Sequence, residues 1–299
     1  MSNPKVSICC CVYNHERYLR KCLDSLVNQK TDFKFEIIVH DDASTDSSQK
    51  IIREYQEKYP DLIRPIYQTV NQYSKGIRPN ITTLKWAEGK YIAFCEGDDF
   101  WTASNKLQKQ IDFLDNHPDY SMCVHAAYYA HEDGTLYEDK FFRPYEYDTD
   151  ISVQEILEGW KFSTNSIVYR REARKDIVIP FQGNCLNGDY ALSIYLALRG
   201  RVYYMDELMS AYRVESIGSL NWVWKDDTDK YVDSRTKLIQ MLKRVDLYTN
   251  CQYSDLIRKR IEYIDFSIYL RTGDYPKARK CRVLFDKLSW RKKLELWVH

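Results

Sequence analysis

The chain has 299 residues, enough for one large domain or two smaller ones with a sizeable core. Its formal net charge is +1, so no bulk polyelectrolyte partner is implied and nothing favours nucleic acid. Nine cysteines form an odd set without a CxxC pair, three of them consecutive in an apolar run, and read as reduced, buried thiols of a cytosolic protein.

The start, MSNPKVSICCCVYN, has no charged segment followed by a long apolar one, so no signal peptide is expected. The longest apolar runs fall far short of the roughly 20 residues that span a bilayer. The expectation is a soluble or surface-associated protein. Tyrosine is frequent, at 25, which suits core packing and a carbohydrate- or lipid-facing surface alike.

Val6 to Val12 is a continuous apolar strand candidate interrupted only by Ser7. His15 to Gln29 follows, with Tyr18, Leu19, Cys22, Leu23, Leu26 and Val27 giving an amphipathic helix its apolar face. Phe35 to His40 is a second strand. Residues 44 to 48 offer several helix caps, and Ile51, Ile52 and Tyr55 face the core from the next helix. Leu62 to Tyr67 reads as a third strand, residues 79 to 88 as a helix stopped by Gly89, and Tyr91 to Cys95 as a fourth strand. Strands alternating with helices of this length predict an α/β fold, a mostly parallel sheet flanked by helices.

Polar residues collect at three predicted strand ends: Tyr13-Asn14, Asp41-Asp42, and Glu96-Gly97-Asp98-Asp99. In open α/β sheets ligands bind outside the carboxyl ends of the strands, so these three ends converge on one crevice. Any one of them alone also reads as an ordinary turn. Three carboxylates within four positions repel one another, and water or a cation must offset the repulsion.

With these residues placed, Val6 to about Trp222 resembles a family 2 glycosyltransferase of the GT-A fold, inverting, of the bacterial capsule or O-antigen type. The stretches that carry the resemblance are VSICCCVYNHERYLRKCLDSLVNQ, FEIIVHDDASTD, GKYIAFCEGDDFW with KLQKQ, GDYALSIYLALRG and YRVESIGS, in family order. The resemblance implies a metal-dependent transfer of a sugar from a nucleoside-diphosphate donor, a UDP-sugar, to a hydroxyl of a saccharide or lipid-linked oligosaccharide. Glu96-Gly97-Asp98 stands where the family carries D-x-D, with Glu in place of the first Asp. Asp98 would bind Mn²⁺ or Mg²⁺, and Asp99 would position the sugar or the metal's waters. A hard cation needs only one or two carboxylates when phosphates supply the rest. Val12 and Tyr13 would flank the base, Asp42 would accept an N–H from its edge, and Asn14 and Glu16 lie close by.

Transfer to an alcohol also needs a base. Asp189, in Asn187-Gly188-Asp189 ahead of the helical stretch Tyr190 to Arg199, matches the family's catalytic aspartate. It reads equally well as an N-cap. Where many relatives have Tyr-Arg-x-His, this chain has Tyr212-Arg213-Val214-Glu215. Glu215 is then either a further metal ligand or a solvated loop residue. Ser216, Gly218 and Ser219 form a stretch suited to closing over the donor.

The predicted organisation is residues 1–220 as the transferase domain and 221–299 as a helical region, with helices over Ser234 to Leu247 and Leu256 to Leu270 and another starting at Pro276. The last 25 residues carry eight Lys or Arg against two acids, with Trp290 and Trp297 interleaved. Such a segment fits docking on the anionic inner face of the cell membrane, or packing on its own domain or on a second copy. The rival from another class is a nucleotide-sugar-binding protein of the same fold without transferase activity.

Overall fold

The structure is a computed structural model and describes residues 3–214, 216, 227–285 and 289. The chain divides into two compact units. The first comprises residues 1–156, 160–178 and 192–216, and the second residues 157–159, 179–191 and 217–299.

The first unit is built on one sheet. Its strands are β1 (Val6–Val12), β2 (Phe35–Asp41), β3 (Ile63–Tyr67), β4 (Tyr91–Phe94), β5 (Phe100–Trp101), β6 (Tyr120–Ala130), β7 (Leu136–Phe142), β8 (Thr149–Ile151), β9 (Val168–Arg170) and β10 (Arg201–Arg213). The order is β3-β2-β1-β4-β9-β6-β10-β5, with β7 on β6 and β8 on β10. β3, β2, β1 and β4 run parallel, as do β6 and β10, while β9 is antiparallel to both its neighbours. The helices of this unit are α1 (Leu19–Val27), α2 (Ser48–Lys58), α3 (Pro79–Trp86) and α4 (Lys106–Asn116), and α5 (Val153–Glu158) starts in it and ends in the second.

β1 lies between two parallel partners, and all but one of its residues are buried. A strand covered on both faces needs apolar residues at every position, which explains the unbroken run. Its polar exception, Ser7, is fully satisfied. Its hydroxyl donates to Glu36 and accepts the backbone N–H groups of Glu88 and Gly89 at 3.1 and 2.8 Å. None of the nine cysteines forms a disulfide. Burial pushes the Cys9 thiol up to about 12, so it is a small core hydrophobe, not a nucleophile.

Two local expectations change. The first helix starts at Leu19 and not at His15, because residues 15–18 form a turn in which Tyr18 and Leu19 both donate to the His15 carbonyl. Gly89 does not stop α3, which ends at Trp86 and is followed by Ala87 in extended conformation. A Cβ at Gly89 would meet the Ser7 backbone nitrogen at 2.5 Å, so glycine is there for close approach to β1.

The second unit holds α7 (Thr228–Tyr248), α8 (Ser254–Thr272), α9 (Tyr275–Lys280) and α10 (Arg282–Phe285), while α6 (Gly188–Ala197) starts in this unit and ends in the first. Leu238, Met241, Leu242 and Val245 bury the inner face of α7 completely. Arg244 ties α7 to residues 181–182 through their carbonyls, at 2.8 and 3.1 Å. Gly273, at φ 73°, closes α8 in the left-handed region, and the Asp274 side chain caps α9. Phe266, Ala278 and Cys281 then form a small apolar cluster. Among the described residues no helix is long and apolar enough to cross a membrane. The basic aromatic tail from Trp290 onward lies outside the described residues.

Candidate active site

The carboxyl ends of β1, β2 and β4 meet along one edge of the sheet. Val12 pairs with Asp41, the Asp42 N–H donates to the Val12 carbonyl at 2.9 Å, and the Gly97 N–H donates to Cys11 at 3.0 Å. The three polar strand ends therefore share one edge, because the strands that carry them are parallel neighbours in register.

Two of the loops at this edge are pinned to each other. Asn14, at φ 56°, accepts the Thr45 N–H on its side chain at 2.8 Å. Glu16 accepts the Ser47 N–H at 2.8 Å, and its own N–H donates to Asp46 at 2.9 Å. Val12 is buried, whereas Tyr13 is 46% exposed and leaves an aromatic ring accessible at the strand end. Asp42 is buried, and its two oxygens accept the N–H groups of Gln72 and Tyr73 at 2.7 and 3.0 Å. It thereby organises the 71–75 turn. Each of those oxygens keeps a second lone pair.

The acidic loop follows β4. Gly97 is there by necessity, since a Cβ would stand 2.7 Å from His15 Nδ1 and 3.0 Å from Val12 Cγ2. Glu96 is exposed, Asp98 half-buried and Asp99 buried. Asp99 accepts the Arg213 backbone N–H and the Asn165 side-chain amide, both at 2.9 Å. Burial drives its carboxyl well above the usual range, and the Asp98 and Glu96 charges push it the same way. Asp98 accepts the Ser216 hydroxyl at 2.7 Å, and its carbonyl accepts Arg213 Nε at 2.8 Å.

Arg213 and Asn165 were given no role by sequence. Arg213 is buried at the end of β10, donates also to the carbonyls of His131 and Glu132, and lies over the Tyr18 ring at 4.6 Å. Asn165 accepts the hydroxyls of Ser163 and Ser210 while donating to Asp99 and to the Ala211 carbonyl. The available signal for Arg213 was its place in Tyr212-Arg213-Val214-Glu215, whereas FSTNS around Asn165 carried none. Glu215, Gly218 and Ser219 lie outside the described residues.

Asp189 belongs to the second unit and sits in the first turn of α6. The N-cap reading changes accordingly. The residue before the helix is Asn187, whose carbonyl accepts the Ala191 N–H at 3.2 Å.

Among the described residues no three His, Cys, Asp or Glu side chains form a ready metal cage. The donor set does fit a cation held jointly with phosphates. It offers one half-buried carboxylate, Asp98, with exposed Glu96 two positions before it and buried Asp99 directly after it.

A mixed sheet whose β3-β2-β1-β4 half is parallel and carries a glycine-spaced acidic loop at its carboxyl edge, flanked by helices, defines the GT-A class of α/β proteins. The Glycosyl transferase family 2 model matches residues 7–178, and the chain belongs to that family. A protein of Mycobacterium tuberculosis described as uncharacterized is 38% identical over 222 residues, covering 74% of this chain and 62% of that protein. The chain thus spans somewhat less than two thirds of that relative's length. The poly(ribitol-phosphate) beta-glucosyltransferase of Bacillus spizizenii is 46% identical over 99 residues, 32% of this chain and 15% of that enzyme. Among solved structures, S. aureus TarS 1-349 in complex with UDP-GlcNAc superposes with a TM-score of 0.65 at 20% identity, over 97% of this chain and 77% of that one. The mannosyltransferase PcManGT from Pyrobaculum calidifontis, in complex with GDP-Man and Mn²⁺, gives 0.58 at 14% identity, over all of this chain and 80% of that one. These structures share the GT-A fold.

Proposed function

We propose that the chain is a metal-dependent, inverting glycosyltransferase that moves a sugar from a UDP-sugar to a hydroxyl of a saccharide or lipid-linked saccharide, in the assembly of a cell-surface polysaccharide. The observation that carries this reading is the convergence of Tyr13, Asp42 and the 96–99 loop on one sheet edge within a family 2 domain. The solved neighbours bound to UDP-GlcNAc and to GDP-Man with Mn²⁺ lend it support.

Tyr13 offers the base an exposed ring, and Asp42 offers its edge an acceptor. Asp98 is the protein's ligand to Mn²⁺ or Mg²⁺, with Glu96 beside it and Glu215 as a further candidate ligand. The cation would neutralise charge on the departing diphosphate. Asp99 and Arg213 hold the loop in shape. Asp189 takes the proton from the acceptor hydroxyl as it attacks the anomeric carbon, and a single displacement with one base inverts that centre. The transferase domain is residues 1–220, with 221–299 as the helical region, and the protein works in the cytoplasm or on the inner face of the cell membrane.

Calorimetric titration with UDP tests the core of this reading. Binding is expected with Mn²⁺, and is expected to be lost in EDTA and in Asp98→Ala, where the carboxylates and the diphosphate repel or the ligand is gone. Unchanged affinity in EDTA would sink the metal assignment. Slow metal-dependent hydrolysis of the bound donor separates a transferase from a mere binder.

A further inference from the structure

Arg213 and Ser216 together make three contacts with the acidic loop, and they are not equivalent. The Arg213 N–H donates to Asp99 Oδ1, and its Nε donates to the Asp98 carbonyl. These two set the depth and the backbone of the loop. Ser216 instead donates its hydroxyl to Asp98 Oδ2 at 2.7 Å. This contact acts on the carboxylate that would hold the cation.

Ser216 is 1% exposed, so its hydroxyl is out of reach of bulk water, and a buried hydroxyl needs an acceptor. Serines in loops usually bond to backbone a few residues away. This one reaches a side chain 118 positions back in the chain. Asp98 Oδ1 accepts no hydrogen bond from any described residue. The two oxygens of Asp98 are therefore unequal, one engaged by the protein and the other left to a ligand. Asp99 cannot stand in for it. That carboxyl is buried, with Oδ1 on Arg213 and Oδ2 on the Asn165 amide.

The inequality bears on which cation fits. Ca²⁺ takes six to eight oxygens in loose geometry and readily accepts both oxygens of one carboxylate. Mg²⁺ demands a tight octahedron in which each carboxylate gives one oxygen, and Mn²⁺ shares its preference for six oxygen ligands. A donated hydrogen bond draws charge from Oδ2. It also fixes the carboxylate's rotation, which is otherwise a broad, soft torsion. Both effects favour ligation through Oδ1 alone.

We propose that Ser216 is a positioning residue that makes Asp98 a one-oxygen ligand, and so biases the site toward Mg²⁺ and Mn²⁺ against Ca²⁺. The inference rests on the metal-dependent reading given above. Ser216 acts through Asp98, and the selectivity comes from holding one oxygen back.

The test is calorimetric titration of the full chain with UDP, in Mn²⁺ and in Ca²⁺, for wild type, Ser216→Ala and Ser216→Thr. Wild type is expected to bind UDP more tightly with Mn²⁺ than with Ca²⁺. In Ser216→Ala the Mn²⁺-supported affinity should fall roughly ten-fold, as for loss of one hydrogen bond to a charged group. The Ca²⁺-supported affinity should hold or rise, so the ratio of the two narrows. Ser216→Thr keeps the hydroxyl and should keep the wild-type ratio. General loosening of the loop would lower both affinities together and leave the ratio alone. An unchanged ratio in Ser216→Ala would overturn the proposal, as would a wild type indifferent to the choice of cation or a Thr variant that behaves like Ala. Wild-type UDP binding that persists in EDTA would instead sink the metal reading on which the proposal stands.

Discussion

The backbone N–H of Arg213 donates to the Asp99 carboxylate at 2.9 Å, while the side chain of the same residue holds the Asp98 carbonyl at 2.8 Å. The end of β10 thus clamps the acidic loop that follows β4, 114 residues away in sequence. The main-chain half of the clamp is indifferent to side-chain identity. The guanidinium half is not.

Arg213→Lys should therefore loosen the loop without removing its carboxylates. Lysine cannot reach Asp98, His131 and Glu132 together as the planar fork does. The expected cost is about 1–3 kcal/mol in urea unfolding, with weaker metal-dependent UDP binding. Wild-type values for both would remove Arg213 from the site's scaffold.

Asp189→Asn keeps the shape of the side chain and removes the proton acceptor. The expected loss is about 10²–10⁴-fold in the transfer rate at saturating donor, with UDP affinity and Tm nearly unchanged. Because Asp189 is in the first turn of α6 and not at the cap, the variant leaves capping intact. A rate within a few-fold of wild type would mean that the base is another group.

Lys106 gives the fold a pH dependence of known sign. It is fully buried, its ammonium stands 3.9 Å from the Trp101 ring with no hydrogen-bond partner, and burial lowers it to about 7. The unfolded chain, with an ordinary lysine near 10.4, keeps the proton that the folded chain gives up. Lys106 should therefore contribute a stability that rises with pH above about 7, by up to about 1.4 kcal/mol per unit. Comparison with Lys106→Met isolates the effect, because buried His125 and the buried thiols, which ionise in the unfolded chain around pH 8.5 and oppose it, contribute alike to both proteins. Lys106→Met should lower the slope between about pH 7 and 8.5. Equal slopes in urea unfolding at pH 7.0 and 8.5 for both proteins would show that Lys106 stays charged when folded.

The basic tail can be tested only with a cut that spares the apolar cluster around Phe266. Removing everything after Gly273 would strip Ala278 and Cys281 from Phe266, so the cut belongs after Phe285. Loss of the Lys and Arg beyond it should weaken sedimentation with anionic vesicles, each residue near the surface contributing roughly 1 kcal/mol. Equal sedimentation of both proteins would rule out a membrane role for the segment.

Local chemistry wrote much of this protein legibly. β1 appears over Val6–Val12 as its apolar run requires, and the helix after residues 44–48 begins at Ser48. Burial on both faces forces apolar residues into adjacent positions, and burial on one face spaces them by helical turns, so both patterns survive in one dimension. Parallel strands also oblige their carboxyl ends to share an edge, which is why Tyr13, Asp42 and Glu96-Gly97-Asp98-Asp99 were readable as one crevice.

Tertiary structure decided what depends on partners distant in the chain. β6 and β10 pair over most of their length across some 80 positions, with register shifts that no local period announces. Gly89 looked like a helix stop, but only the approach of β1 shows that it makes room for Ser7. Asp99 looked like Asp98 in sequence. Folding buries the one against Asn165 and Arg213 and leaves the other half-buried beside Ser216, because hydrogen-bond partners and depth from solvent, not residue type, set what a carboxylate can do.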